Sequence, residues 1–449
     1  MNPDFIILAA GKGKRMLESS PKVLLSVGGK PMAQHVLDTI SSIEKSRAIL
    51  VVGDRHSEVK KSLALKKNTR IALQRNQLGT AHAVKTATKE LRPGSLAVIL
   101  YGDVPLVQKS TINQLLKLAS KNSLSVLTFK KNQPKGYGRI IRNSKRQVEA
   151  IVEEKDATKE QRAIKEVNSG IMAIRSSLLK KLLAQVKNNN AAKEYYLTDI
   201  VELAKLSRIK VKPLLLEDPD EALGANTPME LQDLERAFQK MQAKALINSG
   251  VKIADVNRID SRGSLEVGKG TFIDVNNVFE GNVTIGSNST IGPNCYVKNS
   301  VIGNGVEIKA NTVIEDSRVG SNSNLGPFSR IRGGTEIEGG AELGNFVEAN
   351  RSKIGKSSKA KHLTYLGDSS LGERVNVGAG TITCNYDGKK KHKTQLEDEA
   401  FIGSNTSLVA PVKVGKKAYT GAGSVITKNV PAGNLAIGRS RQSNIKRKK

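Results

Sequence analysis

The chain has 449 residues, more than one hydrophobic core usually supports, so two domains are the starting expectation. Its hydrophobic fraction is 38%, with no tryptophan, which suits a solenoid filled by Ile, Val and Ala better than one dense core. The formal charge of +30 attracts anions, but no basic helix, nucleic-acid motif or interleaved aromatics accompany it, so no specific nucleic-acid partner is expected.

Met1-Asn2-Pro3-Asp4 lacks a basic leader, and the apolar run Phe5-Ile6-Ile7-Leu8 is too short for a signal peptide. No stretch approaches the ~18–20 apolar residues that cross a bilayer. No membrane insertion and a cytoplasmic location are therefore expected. Residues 4–226 alternate strands with helices. Phe5–Ala9, Ala48–Val52 and Leu96–Tyr101 read as buried strands, and Met32–Ile43 and Thr111–Ala119 as amphipathic helices. The alternation predicts an α/β domain with a mainly parallel sheet, which binds ligands just beyond its strand ends.

The first strand runs into Leu8-Ala9-Ala10-Gly11-Lys12-Gly13-Lys14-Arg15-Met16, with Pro21-Lys22 following. A dinucleotide fingerprint needs glycine where Met16 stands, and a P-loop needs a Gly-Lys-Ser/Thr ending that is absent. What remains is a turn whose backbone N–H groups can approach a triphosphate, with Arg15 and Lys22 to supply charge at the α-phosphate. The strand Leu96–Tyr101 ends in Gly102-Asp103, a carboxylate suited to a hard cation such as Mg²⁺.

From Pro228 to about Asn248 the pattern is helical, with Met229, Leu234, Phe238, Met241 and Ala245 spaced three to five apart. The predicted organisation is an α/β domain over 1–226, a connecting helix over 227–249 and a second domain over 250–449. In the second domain an aliphatic residue recurs every sixth position. Ile285, Ile291 and Val297 begin the run, Ile302, Ile308 and Ile314 follow, and Val319, Leu325, Ile331, Ile337 and Leu343 keep register. Ile402, Leu408 and Val414 resume it, and Ile426 lies two periods later. Glycine follows many of them, as a turn-permissive neighbour. This is the hexapeptide signature of a β-helix with a triangular coil. The rhythm breaks at about 382–400, a loop of the kind that often marks a binding face. Cys295 and Cys384 lie outside any CxxC spacing and read as reduced thiols.

Lys361-His362-Leu363-Thr364-Tyr365 also interrupts the repeat. A histidine there can take a proton from an attacking amine near neutral pH. The other histidines, His35, His56, His82 and His392, are scattered and match no metal spacing.

With L-A-A-G-x-G-x-R-M, P-K and the hexapeptide half together, the chain resembles the bifunctional N-acetylglucosamine-1-phosphate uridylyltransferase/glucosamine-1-phosphate N-acetyltransferase family over roughly residues 4–439. The resemblance implies a Rossmann-like mixed sheet followed by a left-handed parallel β-helix, assembled as a homotrimer with acyl-transfer sites between subunits. It implies that Leu8, Ala9, Ala10, Gly11 and Lys22 hold the nucleotide beside Tyr101-Gly102-Asp103, and that Gln74, Gly79 and Thr80 read the uracil. Gly138, Glu153 and Asn168 would hold the sugar, and Asp103 and Asn226 would bind Mg²⁺. In the β-helix it implies His362 as general base and Arg332, Asn350, Tyr365 and Asn376 as sugar-phosphate contacts. Asn385 and Tyr386, in C-N-Y-D-G, match further substrate positions and group with the acetyl-coenzyme A contacts Ala379, Ser404, Ala422 and Arg439. Co-substrates would be UTP and acetyl-coenzyme A. The rival readings are a single-activity nucleotidyltransferase with a structural or regulatory β-helix, and a basic nucleic-acid binder. There is one departure: where the family carries a lysine for the sugar phosphate, this chain has Asn350, followed by Arg351. Arg351 or Lys361 could compensate, or Arg351 could point to solvent.

Overall fold

Phe5-Ile6-Ile7-Leu8 is apolar at every position, the pattern of a strand covered on both faces. In the computed structural model, which describes residues 2–11, 13, 16 and 20–447, it is the middle of β1 (Pro3–Ala9). The same sheet holds β2 (Arg47–Val52), β3 (Arg70–Leu73), β4 (Leu96–Tyr101), β5 (Ser123–Lys130), β6 (Arg139–Arg142), β7 (Val148–Val152), β8 (Glu166–Arg175) and β9 (Lys210–Leu215). The order is β9-β5-β8-β4-β1-β2-β3, with β6 pairing β8 and β7. β1 lies parallel to β2 and β4, whereas β8 runs antiparallel between β4 and β5, so the sheet is mixed. Leu8 pairs with both Val51 and Tyr101, which brings three strand ends to one edge.

Alternation along β1 sends Phe5 and Ile7 to one core and Ile6 and Leu8 to the other. Helices Met32–Ser41 and Lys109–Leu118 close the first with Val36, Ile40, Ile112 and Leu115. Helices Thr80–Ala87, Ser176–Leu183 and Asp199–Leu206 close the second with Val84, Leu182 and Ile200.

By contact density the chain divides into Met1–Phe238 and Gln239–Lys449. The division falls inside one helix, Pro228–Asn248, which gives Leu234 and Phe238 to the first unit and Ala243 to the core of the second.

The second unit is a parallel β-helix. Each coil contributes three short strands, and each strand pairs with residues about one coil later: Ile291 with Ile308, Val297 with Ile314, Ile302 with Val319. The six-residue aliphatics are all buried and fill one continuous core from Val251 to Val430. Of the glycines after an aliphatic, Gly326 (φ +90°) takes the turn role read from sequence, whereas others have a different one. A Cβ on Gly286 would stand 2.6 Å from Asn304 N, and one on Gly303 2.6 Å from Ser321 N, so these positions let successive coils approach. The left-handed corners are shared between other glycines, such as Gly305 and Gly340, and asparagines, including Asn288, Asn294, Asn299, Asn311 and Asn322. Strands Ile382–Cys384 and Thr394–Leu396 stay in the ladders, so the extruded loop narrows to 385–393.

Asp4, at the start of β1, is fully buried, and its carboxylate accepts from Arg47 Nε at 3.1 Å, Arg92 Nε at 2.8 Å and the Arg92 backbone N–H at 2.7 Å. Breaking a buried pair of this kind typically costs about 3–5 kcal/mol because a charge is left unpaired. Asp4→Ala is expected to lower the unfolding free energy of the first unit by that order, read as a lower urea midpoint followed by circular dichroism. An unchanged midpoint would contradict the role given to this carboxylate.

Candidate functional site

The chain leaving β1 turns over the sheet edge through Ala10-Gly11, and a Cβ on Gly11 would meet nothing within 4 Å, so this backbone faces open space. Lys22 opens a short 3₁₀ turn, Lys22–Leu24, after Pro21. Its ammonium forms an ion pair with Asp103 and donates to Asn226 Oδ1 at 2.9 Å. Asn226 is set by the helix that follows: its N–H donates to Glu230 Oε2 at 2.7 Å, and Glu230 N–H donates to Thr227 Oγ1 at 3.2 Å. Three residues spread over two hundred positions thus converge on one charge. Arg15 lies outside the described residues.

A cleft of about 360 Å³ is lined by Leu8, Ala10, Gly11, Lys22, Gln74, Gly79, Thr80, Tyr101, Asp103 and Asn226. Val23, Gln77, Ala83 and Glu194 complete its wall and carry no motif signal. Gln77 Nε2 donates to the Ala10 carbonyl and so braces the first turn. Ala9 and Gly102 sit behind the lining: Ala9 is buried, and Gly102 N–H donates to Leu8 O at 2.9 Å. Gly79 (φ +116°) caps the helix Thr80–Ala87, and a Cβ on it would stand 2.5 Å from Tyr195 O, so only glycine lets the segment at 195 lie this close.

Gly138, Glu153 and Asn168 form a second group. Asn168 N–H donates to Gly138 O at 2.9 Å, and a Cβ on Gly138 would be 3.5 Å from Glu153 Oε2. Thr198, beside the helix Asp199–Leu206, makes no side-chain cap and instead donates to Glu153 Oε1 at 3.0 Å. Burial pushes the Glu153 carboxyl up, against the Thr198 bond, and burial with Glu153 and Asp103 pushes the Tyr101 hydroxyl well up. Asp199 is raised to about 6, by burial and then by Glu153, Glu202 and Asp156. One group therefore presents an ammonium at Lys22, paired with Asp103, and the other a carboxyl at Glu153. Phosphate is attracted to the first, whereas sugar hydroxyls can donate to the second.

On the β-helix, parallel register aligns one column of residues. Leu343 pairs with Ala360, Ala360 with Val377, Val377 with Ile402, and Ile402 with Thr420. Two residues beyond each rung stand Asn345, His362, Ala379, Ser404 and Ala422. Arg439 follows, its Cδ 3.8 Å from where a Cβ on Gly423 would be. His362 is exposed, and its Nδ1 lies 2.6 Å from Asn345 Oδ1. An amide oxygen only accepts, so Nδ1 carries the proton and Nε2 keeps its lone pair for a substrate. Asn345 was not singled out from sequence, because its link to His362 is the coil length of seventeen residues. The two line a groove of about 270 Å³ with Lys361 and Glu342, which are themselves ion-paired at 2.7 Å.

Arg332, Asn350 and Tyr365 lie on a different ladder, in which Arg332 pairs with Asn350 and Glu348 with Tyr365. Arg332 binds Glu348 through Nε at 2.8 Å. Asn350 is buried and accepts from Arg351 at 3.3 Å. Arg351 forks onto Asp368 at 2.7 and 2.9 Å, which holds that carboxyl below its ordinary range, and Asn385 Nδ2 donates to the same carboxylate at 2.5 Å. Arg351 and Asp368 line a separate groove of about 430 Å³. Asn376 pairs with Lys359 and Phe401 on the His362 ladder. In the loop 385–393 Tyr386 is exposed, and Asp387 is held well below the usual carboxylate range by the N–H of Lys390, His392 and the N–H of Lys389.

Comparison with known proteins matches residues 5–192 to a MobA-like NTP transferase domain, 261–386 to a GMPPB C-terminal domain, and 393–428 to the hexapeptide repeat of succinyl-transferase. The bifunctional protein GlmU of Marinobacter nauticus is 48% identical over 440 residues, covering 98% of this chain and 97% of that one. The GlmU proteins of Idiomarina loihiensis and Cellvibrio japonicus are 49% and 46% identical, again over 98% of this chain and 96% and 97% of theirs. With a nucleotidyltransferase unit, a hexapeptide unit and relatives matched from end to end, the chain belongs to the bifunctional GlmU family of transferases.

Proposed function

We propose that the chain makes UDP-N-acetylglucosamine at two separate sites, acetylating glucosamine 1-phosphate with acetyl-coenzyme A and then uridylylating the product with UTP. The observation that carries this reading is the pair of unlike sites on one chain: an ammonium held between Asp103 and Asn226, and an imidazole oriented by Asn345.

In the cleft, the turn at Leu8–Gly11 and Lys22 hold the triphosphate, and Gln74, Gly79 and Thr80 face the base. Glu153, Asn168 and Gly138 take the sugar. The phosphate oxygen of N-acetylglucosamine 1-phosphate attacks the α-phosphorus in line, and pyrophosphate leaves. The chain contributes position and charge neutralisation. Asp103 and Asn226 already direct two oxygens at one cation, the Lys22 ammonium, and no cluster of three His, Cys, Asp or Glu exists among the described residues. That donor set fits Mg²⁺, which prefers one or two protein oxygens and fills its remaining positions with phosphate and water. When bound, Mg²⁺ supplies neutralisation of phosphate charge.

In the β-helix, His362 Nε2 takes a proton as the glucosamine amine attacks the thioester carbonyl, and coenzyme A leaves as the thiol. The column Ala379, Ser404, Ala422 and Arg439 is the acetyl-coenzyme A track, with Asn385 and Tyr386 at the loop. His362 and the Arg332, Asn350 and Tyr365 group line different ladders of one chain. That separation supports a homotrimer in which neighbours complete each acyl site. A cytoplasmic location belongs to the same reading.

The two activities are expected to separate by mutation. Asp103→Ala should abolish uridylyl transfer and spare acetyl transfer. His362→Ala should lower acetyl transfer by the ~10²–10⁴-fold typical of a lost general base and spare uridylyl transfer. Equal loss of both activities in either folded variant contradicts the division of labour.

Asn350 generates a second expectation. Arg351 is committed to Asp368 and Lys361 to Glu342, so neither is a free replacement for the missing lysine. A charge-assisted bond exceeds a neutral one by about 1 kcal/mol or more, so Asn350→Lys should lower the KM for glucosamine 1-phosphate several-fold with kcat nearly unchanged. An unaltered KM in steady-state kinetics would refute it.

A further inference from the structure

We propose that His82 is a positioning residue that locks the Gln74 amide with its oxygen toward the base, so that the cleft takes uracil and refuses cytosine. The inference rests on the reading that Gln74 faces the base. Gln74 directly follows β3, its N–H donates to Val52 O at 2.8 Å, and its side chain is 4% exposed yet lines the cleft. Its amide nitrogen has two partners: Gly79 O at 3.3 Å and His82 Nδ1 at 3.0 Å.

The partners determine the orientation. A backbone carbonyl can only accept, so the nitrogen, not the oxygen, of Gln74 faces Gly79. The second amide proton then points at His82, whose Nδ1 must be the unprotonated, accepting nitrogen, with the ring proton on Nε2. Gln74 Oε1 has no donor among the described residues and is left for the cleft.

His82 is itself held firmly. It lies in the first turn of the helix Thr80–Ala87, where Thr86 Oγ1 donates to its carbonyl at 2.9 Å. The helix start is tied to the neighbouring segment by Ala81 N–H to Tyr195 O at 2.9 Å and by Leu197 N–H to Thr80 Oγ1 at 2.9 Å. Behind the ring, Leu183, Val186 and Tyr195 help to enclose a small cavity.

The chemistry of the bases makes this orientation selective. Uracil N3 is a donor and needs an oxygen opposite it. Cytosine N3 is an acceptor beside an amino group and needs the opposite pattern. An amide turned by 180° keeps its shape and reverses its preference. Without His82 only the long bond to Gly79 O resists that turn.

The test is the ratio of kcat/KM for UTP over CTP in the uridylyl half-reaction of the full chain, with the urea midpoint of the first unit as the folding control. His82→Ala is expected to lower the ratio by about tenfold, the effect of one lost neutral hydrogen bond. His82→Asn, whose side-chain oxygen can accept in place of Nδ1, should restore most of it. Gln74→Ala separates the two layers of the argument. If Gln74→Ala lowers the ratio and His82→Ala does not, the lock is overturned and the base reading stands. If Gln74→Ala leaves the ratio intact, the base reading falls and the lock with it. A His82→Asn ratio as low as that of His82→Ala also overturns the proposal.

Discussion

Parallel strand register is the constraint on which both sites depend. In a parallel pair the hydrogen bonds hold two strands in one direction, so equivalent residues end at the same level. In the first unit this brings the ends of β1, β2 and β4 to one edge, and the turn at Gly11, the residues near Gln74 and Asp103 all leave from it. In the second unit the same rule carries each residue onto one a coil later, which puts Asn345 against His362 and aligns Ala379, Ser404 and Ala422 beyond them. Neither site lies on a deformable loop alone. Each is a strand edge read out by whatever side chains the register delivers there.

Charge is arranged differently at the two sites. The first unit sets a lysine between a carboxylate and an amide at one group, while Asp156 and Glu194 act on the Glu153 carboxyl at the other. The β-helix pairs several of its cations with carboxylates one coil away, as Arg332 does with Glu348, Arg351 with Asp368 and Lys361 with Glu342. A sugar phosphate arriving there must compete with an existing partner. This is why the uncharged Asn350 matters more than its neighbourhood of basic residues suggests.

What was legible in the sequence was whatever repeats or follows a strand. The aliphatics that the six-residue period marked from Ile285 to Leu343 are each in the core, because a stacked prism buries the same position on every coil. The turn after the first strand was legible for the same kind of local reason. Contacts across the chain were not. Asn345 is an unremarkable residue until a seventeen-residue coil sets it beneath His362. Thr198 carries no local signal, yet it serves Glu153 from forty-five residues away. Most glycines after the aliphatics read as turn residues, but steric contact with the next coil is what requires positions such as Gly286 and Gly303, and the left-handed corners fall to asparagines and to other glycines. Arg351 illustrates the limit most plainly: its commitment to Asp368 depends on a partner one coil away.

The central claim is that one chain carries two complete and distinct transferase chemistries. It is tested most directly by assaying the purified full chain in two separate reactions. One contains acetyl-coenzyme A with glucosamine 1-phosphate, and the other UTP, Mg²⁺ and N-acetylglucosamine 1-phosphate. Turnover in both, with UDP-N-acetylglucosamine formed when all components are combined, is the predicted result. Pyrophosphate release in the second reaction with no coenzyme A release in the first would reduce the β-helix to a scaffold and contradict the account.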